Sequence, residues 1–251
     1  DYALLSSSRT AALVSRSGSI DWLCLPRFDS ASVFAALLGD EQQGQWMLRP
    51  SDPEAQSTRR YDGDTFTLVT RWESAAGVAE VHDVLPVDPH HLDTASRTDL
   101  VRLVVGISVA VEFAQRVRLR FDYARALPWV RQTGTADAPE LTAIAGPDAV
   151  VIRGAALTAT DHLHEGSFRV SAGQRRDLTL TWHASHRPAP EPLDVDAALD
   201  RTSDWWSRWA ERIDVDGPHR EAVVRSLLTL RALTHRDTGG IIAAPTTSLP
   251  E

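Results

Sequence analysis

The chain has 251 residues, of which 43% are apolar, and this composition excludes a disordered or collagen-like protein. Its 34 acidic and 26 basic residues give a net charge of −8, and every basic residue is arginine. Because nucleic-acid binding needs a clustered basic surface, this balance disfavours nucleic acid as a partner. No apolar run approaches the roughly 20 residues of a membrane span, so we expect no membrane partner.

Alternating apolar and polar residues dominate the chain up to about residue 183 and predict β-strands. Short turns rich in glycine, serine, proline and aspartate separate the alternating runs. The predicted strands include 11–14, 20–25, 65–72, 78–85, 100–109 and 149–153. Many strands with short connections predict a mainly β fold, a large antiparallel sandwich of two sheets.

Apolar and arginine side chains also alternate between residues 116 and 123, which predicts a further strand. Its apolar face carries Val117, Leu119, Phe121 and Tyr123. We interpret the other face as exposed to solvent, and it carries Arg116, Arg118 and Arg120.

The single cysteine, Cys24, lies in an apolar run, and we interpret it as a small buried hydrophobe rather than a nucleophile. One cysteine cannot form an internal disulfide, which fits a reducing, cytoplasmic location, and a secreted protein without disulfides would fit as well.

The pattern changes at the proline-rich segment 186–192, which cannot continue a β-ladder and is predicted to be a stiff linker. A first helix is predicted from Leu199, Trp206, Trp209 and Ile213, which recur at helical spacing behind a candidate N-cap at Asp194 or Asp196. A second helix follows, with Asp216 as its candidate N-cap and Gly239-Gly240 as its stop signal. Its broad apolar face predicts that more helices pack against it.

Four stretches carry a family resemblance. The first stretch combines DYALL at 1–5, TAALV at 10–14 and GSIDWLCLPRFDS at 18–30, and the second is FAALLG at 34–39. The third is RFDY at 120–123 with PW at 128–129. The fourth is REAVVRSLLTL at 220–230 with GGIIAAPTTSLPE at 239–251. Together they are similar to bacterial glucoamylase-like proteins and to the actinobacterial type of α,α-trehalase, a family of glycoside hydrolases.

The resemblance implies a β-supersandwich over 1–185, a proline-rich linker with a linker helix over 186–216, and the start of a six-hairpin α/α barrel over 217–251. It also implies inverting hydrolysis of α-glucosidic bonds in trehalose or maltodextrin-like substrates, which would bind through the rest of the barrel. The two catalytic glutamates would lie beyond residue 251, so we expect no catalytic residue and no activity in this chain alone. No cofactor and no metal are expected, and the oligomeric state is left open. A stand-alone carbohydrate-binding or scaffold sandwich, and the sandwich of a related sugar phosphorylase, remain alternatives.

Two segments are candidates for contact with substrate. The segment 21–29 combines carboxylates, an aromatic ring and a guanidinium, and within it we expect Asp21, Trp22 and Arg27 to shape the outer sugar subsites. Asp29 is interpreted as a turn or cap residue rather than as one of the two carboxyls of an inverting pair. The end of the chain offers hydroxyls and a carboxylate to a sugar, or else only frames the pocket, and its candidates are Thr247, Ser248 and Glu251.

Other conspicuous residues receive structural interpretations. The histidine pairs lack metal-ligand spacing, and they are His90 with His91, His162 with His164, and His183 with His186. Trp206 and Trp209 have helical spacing beside Trp205, and they are interpreted as docking groups rather than a sugar platform. Trp129 is a candidate core or interface residue.

Overall fold

The computed structural model describes residues 2–88 and 97–249. Within these ranges the fold is mainly β, with fifteen strands followed by two α-helices. The strands are β1 (Ala3–Ser6), β2 (Ala11–Val14), β3 (Ser19–Cys24), β4 (Ser32–Phe34), β5 (Gln45–Pro50), β6 (Gln56–Tyr61), β7 (Leu68–Ser74), β8 (Gly77–Val84), β9 (Thr98–Arg118), β10 (Trp129–Gly134), β11 (Pro139–Ala145), β12 (Asp148–Arg153), β13 (Thr158–Thr160), β14 (Leu163–Ser171) and β15 (Arg175–Ala184). The helices are α1 (Val195–Ala210) and α2 (Arg220–Ala232), and no helix in the described ranges is long and apolar enough to cross a membrane.

The long strand β9 joins two antiparallel sheets. Its first half pairs with β8 and β15, and its second half pairs with β5 and β14. One sheet therefore runs β1-β2-β3-β5-β9-β14-β13 with β4 beside β3, and the other runs β6-β7-β8-β9-β15-β12-β11-β10. The change of sheet falls at Val109, whose φ of 52° interrupts the regular strand. The predicted strand 100–109 is thus only the first half of β9.

The main core contains a buried ion pair that ties several strands together. Arg102 on β9 is fully buried and donates to Asp83 Oδ1 on β8 at 2.7 Å. It also donates to the carbonyl oxygens of Trp46 and Gly18, each at 2.7 Å. Gly18 has φ +85°, and a Cβ there would lie 2.3 Å from the carbonyl oxygen of Leu48. Only glycine fits this turn, and the turn brings its carbonyl to the guanidinium.

Arg116, Arg118 and Arg120 were predicted to face solvent. This prediction is wrong for Arg118 and Arg120. Arg116 is partly exposed and pairs with Glu41 and Glu165, as expected of a solvent-facing side chain. Arg118 and Arg120 are only 7% and 8% exposed. The strand ends at Arg118, earlier than predicted. Arg118 donates to the carbonyl oxygen of Asp161 at 3.3 Å, and Arg120 donates to that of Leu119 at 2.9 Å.

The two helices pack on the sandwich through an aromatic cluster. The Asp194 side chain caps α1 by accepting from the backbone N–H of Ala197 at 3.1 Å, which confirms one of the two predicted caps. On α1, Trp206 is fully buried, and its ring centroid lies 4.9 Å from that of Phe66. The hydroxyl of Ser6 on β1 donates to the carbonyl of Ala232 at the end of α2, at 2.7 Å. Trp206 is therefore a docking group between helices and sandwich, as interpreted from the sequence.

The ends of α2 differ from the prediction. His219 occupies the N-cap position without a side-chain bond, and Asp216 does not cap the helix because a turn at Gly217 separates the two. The helix ends at Ala232, before the predicted stop at Gly239-Gly240. The intervening residues fold back, and a bridge joins Thr234 and Ile241.

The predicted linker lies between the end of β15 at Ala184 and the start of α1 at Val195. The division of the chain into domains at residues 185 and 216 stays a prediction.

Candidate functional site

Asp21 and Trp22 lie on strand β3, so the segment predicted as one loop over 21–29 becomes irregular only after Cys24. This strand is buried on both faces. Leu23 packs into the main core, whereas Trp22 and Cys24 pack on the opposite side against Leu249 near the end of the described chain. The sequence of β3 is continuously apolar over Trp22, Leu23 and Cys24 because both faces of the strand are buried.

Three polar contacts bring β3 and the segment 245–249 together. The Trp22 indole N–H donates to the carbonyl of Pro245 at 2.8 Å, and the Tyr123 hydroxyl donates to the carbonyl of Ser248 at 2.8 Å. The Cys24 sulfur lies 3.2 Å from the Ser248 hydroxyl oxygen. We call these five residues the sandwich–loop junction. Two of its three contacts reach backbone carbonyls, so they fix the path of the loop whatever side chains it carries.

Tyr123 reaches the junction through a strained turn. Asp122, Tyr123 and Ala124 have φ values of 50°, 54° and 68°, a left-handed conformation that costs free energy for residues other than glycine. Ser32 on β4 holds the turn, because its carbonyl accepts from the Asp122 N–H and its hydroxyl accepts from the Tyr123 N–H, both at 3.0 Å. The Tyr123 ring lies 6.2 Å from the Trp22 ring. The fold keeps this strained turn beside the junction, which indicates a role for the position of Tyr123 in holding the loop.

The junction is a neutral environment. Burial raises the pKa of the Cys24 thiol to about 12, although the hydrogen bond with Ser248 acts in the opposite direction. Burial is also the largest cause that raises the pKa of Tyr123. Both groups therefore stay protonated near neutral pH and act as hydrogen-bonding groups, and Cys24 is the buried hydrophobe that the sequence predicted.

Asp21 is already engaged by two hydroxyls. It is 8% exposed and accepts hydrogen bonds from the Tyr2 hydroxyl at 2.9 Å and from the Ser19 hydroxyl. The pKa of Tyr2 rises to about 12, first through burial and then through the hydrogen bond and the negative charge of Asp21. This carboxylate is held in a local hydrogen-bond network.

Arg27 and Asp29 form an exposed ion pair at 2.9 Å. The hydrogen bond from Arg27 is the largest cause that lowers the pKa of Asp29. Between them, Phe28 is buried, and its ring centroid lies 6.1 Å from that of His235, beyond α2. The irregular segment after β3 thus makes a second contact with the chain that follows α2.

The remaining candidates are divided. Thr247 is exposed, and Ser248 is partly buried in the junction. Glu251 lies outside the described residues, as do His90 and His91. The assignment of substrate binding to Asp21, Trp22, Arg27, Thr247, Ser248 and Glu251 stays a prediction.

The other histidines offer no metal site in the structure as described. Across residues 2–88 and 97–249, no group of three or more His, Cys, Asp and Glu side chains could hold a metal ion. His164 is 4% exposed, and burial is the largest cause that lowers its pKa. It is a neutral core histidine.

The sandwich followed by two helices is a fold that also occurs in a bacterial glucoamylase. The chain is similar to the crystal structure of a bacterial glucoamylase complexed with acarbose, with a TM-score of 0.66 over 97% of this chain and 42% of that chain. The sequence identity is 8%, so this likeness shows the fold alone.

Sequence comparison gives the family. The family model described as "Trehalase-like, N-terminal" matches residues 1–154, and the chain belongs to this family. It is 35% identical to a trehalase of Mycolicibacterium smegmatis over 100% of this chain and 40% of the relative. It is 33% identical to a trehalase of Mycobacterium tuberculosis and 26% identical to a trehalase of Thermoplasma volcanium, again over 100% of this chain and 39% and 40% of those relatives. The chain therefore spans well under half the length of these trehalases.

Proposed function

We propose that this chain is the non-catalytic front part of an inverting glycoside hydrolase that cleaves α-glucosidic bonds, with trehalose or a maltodextrin-like sugar as substrate. The observation that carries the proposal is the match of the whole chain to about 40% of each of several trehalases. A cytoplasmic location belongs to the same proposal, and it is supported by the buried, unpaired thiol of Cys24.

The acidic side chains at the candidate site favour a structural contribution from this chain. Inversion needs two carboxyls roughly 6.5–9.5 Å apart, one free to protonate the leaving oxygen and one free to activate water. Asp21 is bonded to two hydroxyls, and Asp29 is paired with Arg27. These partners favour structural roles for both carboxylates, and the proposal assigns the catalytic pair to the longer protein.

The contribution of this chain is to hold the loop 245–249 in place. The junction fixes the carbonyls of Pro245 and Ser248 from two separate parts of the sandwich, and Thr247 lies exposed between them. A loop fixed at both sides presents its hydroxyls with little loss of conformational entropy when a ligand binds. In this proposal Thr247 and Ser248, with Glu251 after them, form part of the rim of the sugar pocket. Trp22 contributes indirectly, because its indole N–H holds the loop at the carbonyl of Pro245.

The reaction itself is tested on the complete protein that contains this sequence. We expect glucose to be released from trehalose or maltose, with the product anomer seen by NMR at early times inverted relative to the bond cleaved. The isolated chain 1–251 should release none. Retention of configuration, turnover by the isolated chain, or a reaction that requires phosphate and yields a glucose phosphate would contradict the proposal.

The positioning role is tested with Tyr123→Phe, which removes one hydroxyl and keeps the ring. Since one loop carbonyl loses its donor, we expect kcat/KM to fall by about threefold to thirtyfold, because about 0.7–2 kcal/mol of positioning is lost. Tyr61→Phe is the matched control, since that hydroxyl donates to the carbonyl of Leu4 at 2.9 Å, away from the junction. If both variants lose activity in proportion to their loss of thermal stability, the tyrosine is structural only.

A further inference from the structure

A groove runs along the outer side of α1 beside the end of α2. Its volume is about 430 Å³, which falls within the range of small-molecule sites. Two tryptophans and four arginines dominate its lining, namely Trp205, Trp209, Arg201, Arg208, Arg212 and Arg231. We call it the helix groove. It is separate from the sandwich–loop junction, and it contains Trp209, which was interpreted from the sequence as a docking group.

The helix groove is strongly positive within an acidic chain. Arg208 pairs with Asp204 at 3.1 Å, and this aspartate is the one acidic residue among the lining residues. In the part of the chain that the structure describes, Arg201 and Arg212 have no side-chain hydrogen bond or ion pair, and Arg231 has no carboxylate partner. The lining therefore carries a net charge of +3, whereas the whole chain carries −8. Local positive charge on an acidic protein favours an anionic ligand.

The two tryptophans of the groove have different environments. Trp205 is fixed, because its edge meets Trp206 with ring centroids 4.6 Å apart and the Arg231 guanidinium lies 5.0 Å from its centroid. Trp209 lies one turn along α1 and is half-buried. It packs partly against the apolar cluster around Trp206, and among the described residues its ring has no aromatic or cation–π partner. An indole face is electron-rich and attracts the C–H groups of a sugar ring, so Trp209 offers a platform beside fixed positive charge.

We propose that the helix groove binds an anionic sugar, a pyranose that carries a phosphate or a carboxylate group. Arginine binds both groups through two parallel hydrogen bonds, and Arg201, Arg212 and Arg231 have this capacity unused by any carboxylate of the described chain. The ring of the sugar stacks on Trp209 while its charged group pairs with these arginines. This site does not depend on the hydrolase proposal, because it is measured as binding.

The test is calorimetric titration of the complete protein at low salt with glucose 6-phosphate and with glucuronate. Binding of either supports the site, and which of them binds identifies the anionic group. Glucose, inorganic phosphate and AMP each lack one part of the expected ligand, so we expect them to bind at least about tenfold more weakly. Added salt should weaken the binding of the anionic sugar, because the arginines are partly exposed.

Two variants and one control locate the site. The double variant Arg201→Gln, Arg212→Gln removes two charges without breaking an internal contact, and Trp209→Leu removes the platform. Each should weaken binding about tenfold or more. Trp129→Leu is the matched control, since Trp129 is an exposed tryptophan stacked by Arg131 at 3.9 Å elsewhere on the surface.

Several results would overturn the proposal. They are no binding of either anionic sugar, equal binding of inorganic phosphate or AMP, or an equal loss of binding in Trp129→Leu. Should Trp209→Leu fail to fold, the double arginine variant decides alone, because unchanged binding there removes the role of the groove.

Discussion

Removal of one partner from the buried Arg102–Asp83 pair is expected to destabilise the sandwich more than removal of any surface ion pair. Asp83→Ala leaves the guanidinium in a site where Arg102 is 0% exposed. An uncompensated buried charge costs about 3–5 kcal/mol. Arg102→Met also leaves the carbonyls of Trp46 and Gly18 without their donor, which adds about 1–3 kcal/mol for each.

The two substitutions should not be additive. Once Asp83 is absent, Arg102→Met no longer strands a carboxylate, so the double variant should be more stable than the sum of the singles predicts, by up to about 3 kcal/mol. Urea unfolding followed by tryptophan fluorescence measures this coupling, since the Arg102 guanidinium lies 5.4 Å from the Trp46 ring centroid and the indole reports the loss of the pair.

The control is Asp62→Ala, which breaks an exposed pair with Arg60 at 3.5 Å. It should cost less than about 1 kcal/mol. If Asp83→Ala costs no more than this control, or if the double variant equals the sum of the singles, the reasoning about the buried pair is refuted.

Three further substitutions or reactions test individual features. Gly18→Ala should destabilise the chain by more than about 1 kcal/mol in urea unfolding, whereas Gly63→Ala, with φ +53° and no atom near its Cβ, should cost less. Cys24, with its pKa near 12, should resist iodoacetamide at about pH 8.5 until the protein unfolds, and rapid labelling of the folded protein would contradict its burial. Asp21→Asn should lower the pKa of Tyr2 in a spectrophotometric titration but leave it above the ordinary value, because burial is the largest cause of the shift.

The elements that could be predicted are those fixed by local chemistry. Strand β2 was predicted to the residue, and the cap of α1 was found at Asp194, because alternation and side-chain capping act within a few residues. The full length of β9 could not be predicted, because its continuation past Val109 depends on pairing with strands far away in sequence. The same applies to the end of α2, where contacts with the sandwich override the glycine signal.

At the candidate site, the two segments chosen from the sequence lie together in the structure, but the directions of their side chains could not be predicted. A cluster of aspartate, tryptophan and arginine suggested a sugar-facing loop, yet Trp22 is enclosed by the segment after α2, and Asp21 bonds to Tyr2 and Ser19. Tyr123 was assigned to a strand, because three successive left-handed residues without glycine leave no signal in the sequence. The junction could be found only once distant segments were seen together.

The absence of lysine gives a physical reason why arginine patterns misled the prediction of exposure. A guanidinium stays protonated, spreads its charge over a plane and stacks on aromatic rings, so it tolerates burial better than an ammonium group. Arg225 on α2 shows the consequence, since it lies 4.5 Å from the Tyr61 ring centroid and donates to the carbonyls of Thr65 and Gly63 at 2.8 and 2.7 Å. Burial lowers its pKa, yet aromatic and carbonyl partners hold the charge where the helix meets the sandwich. Arg102 and Arg225 are structural ties of this kind. The helix groove differs because it gathers three arginines with no carboxylate partner among the described residues beside two tryptophans, and it is there that a ligand is to be sought.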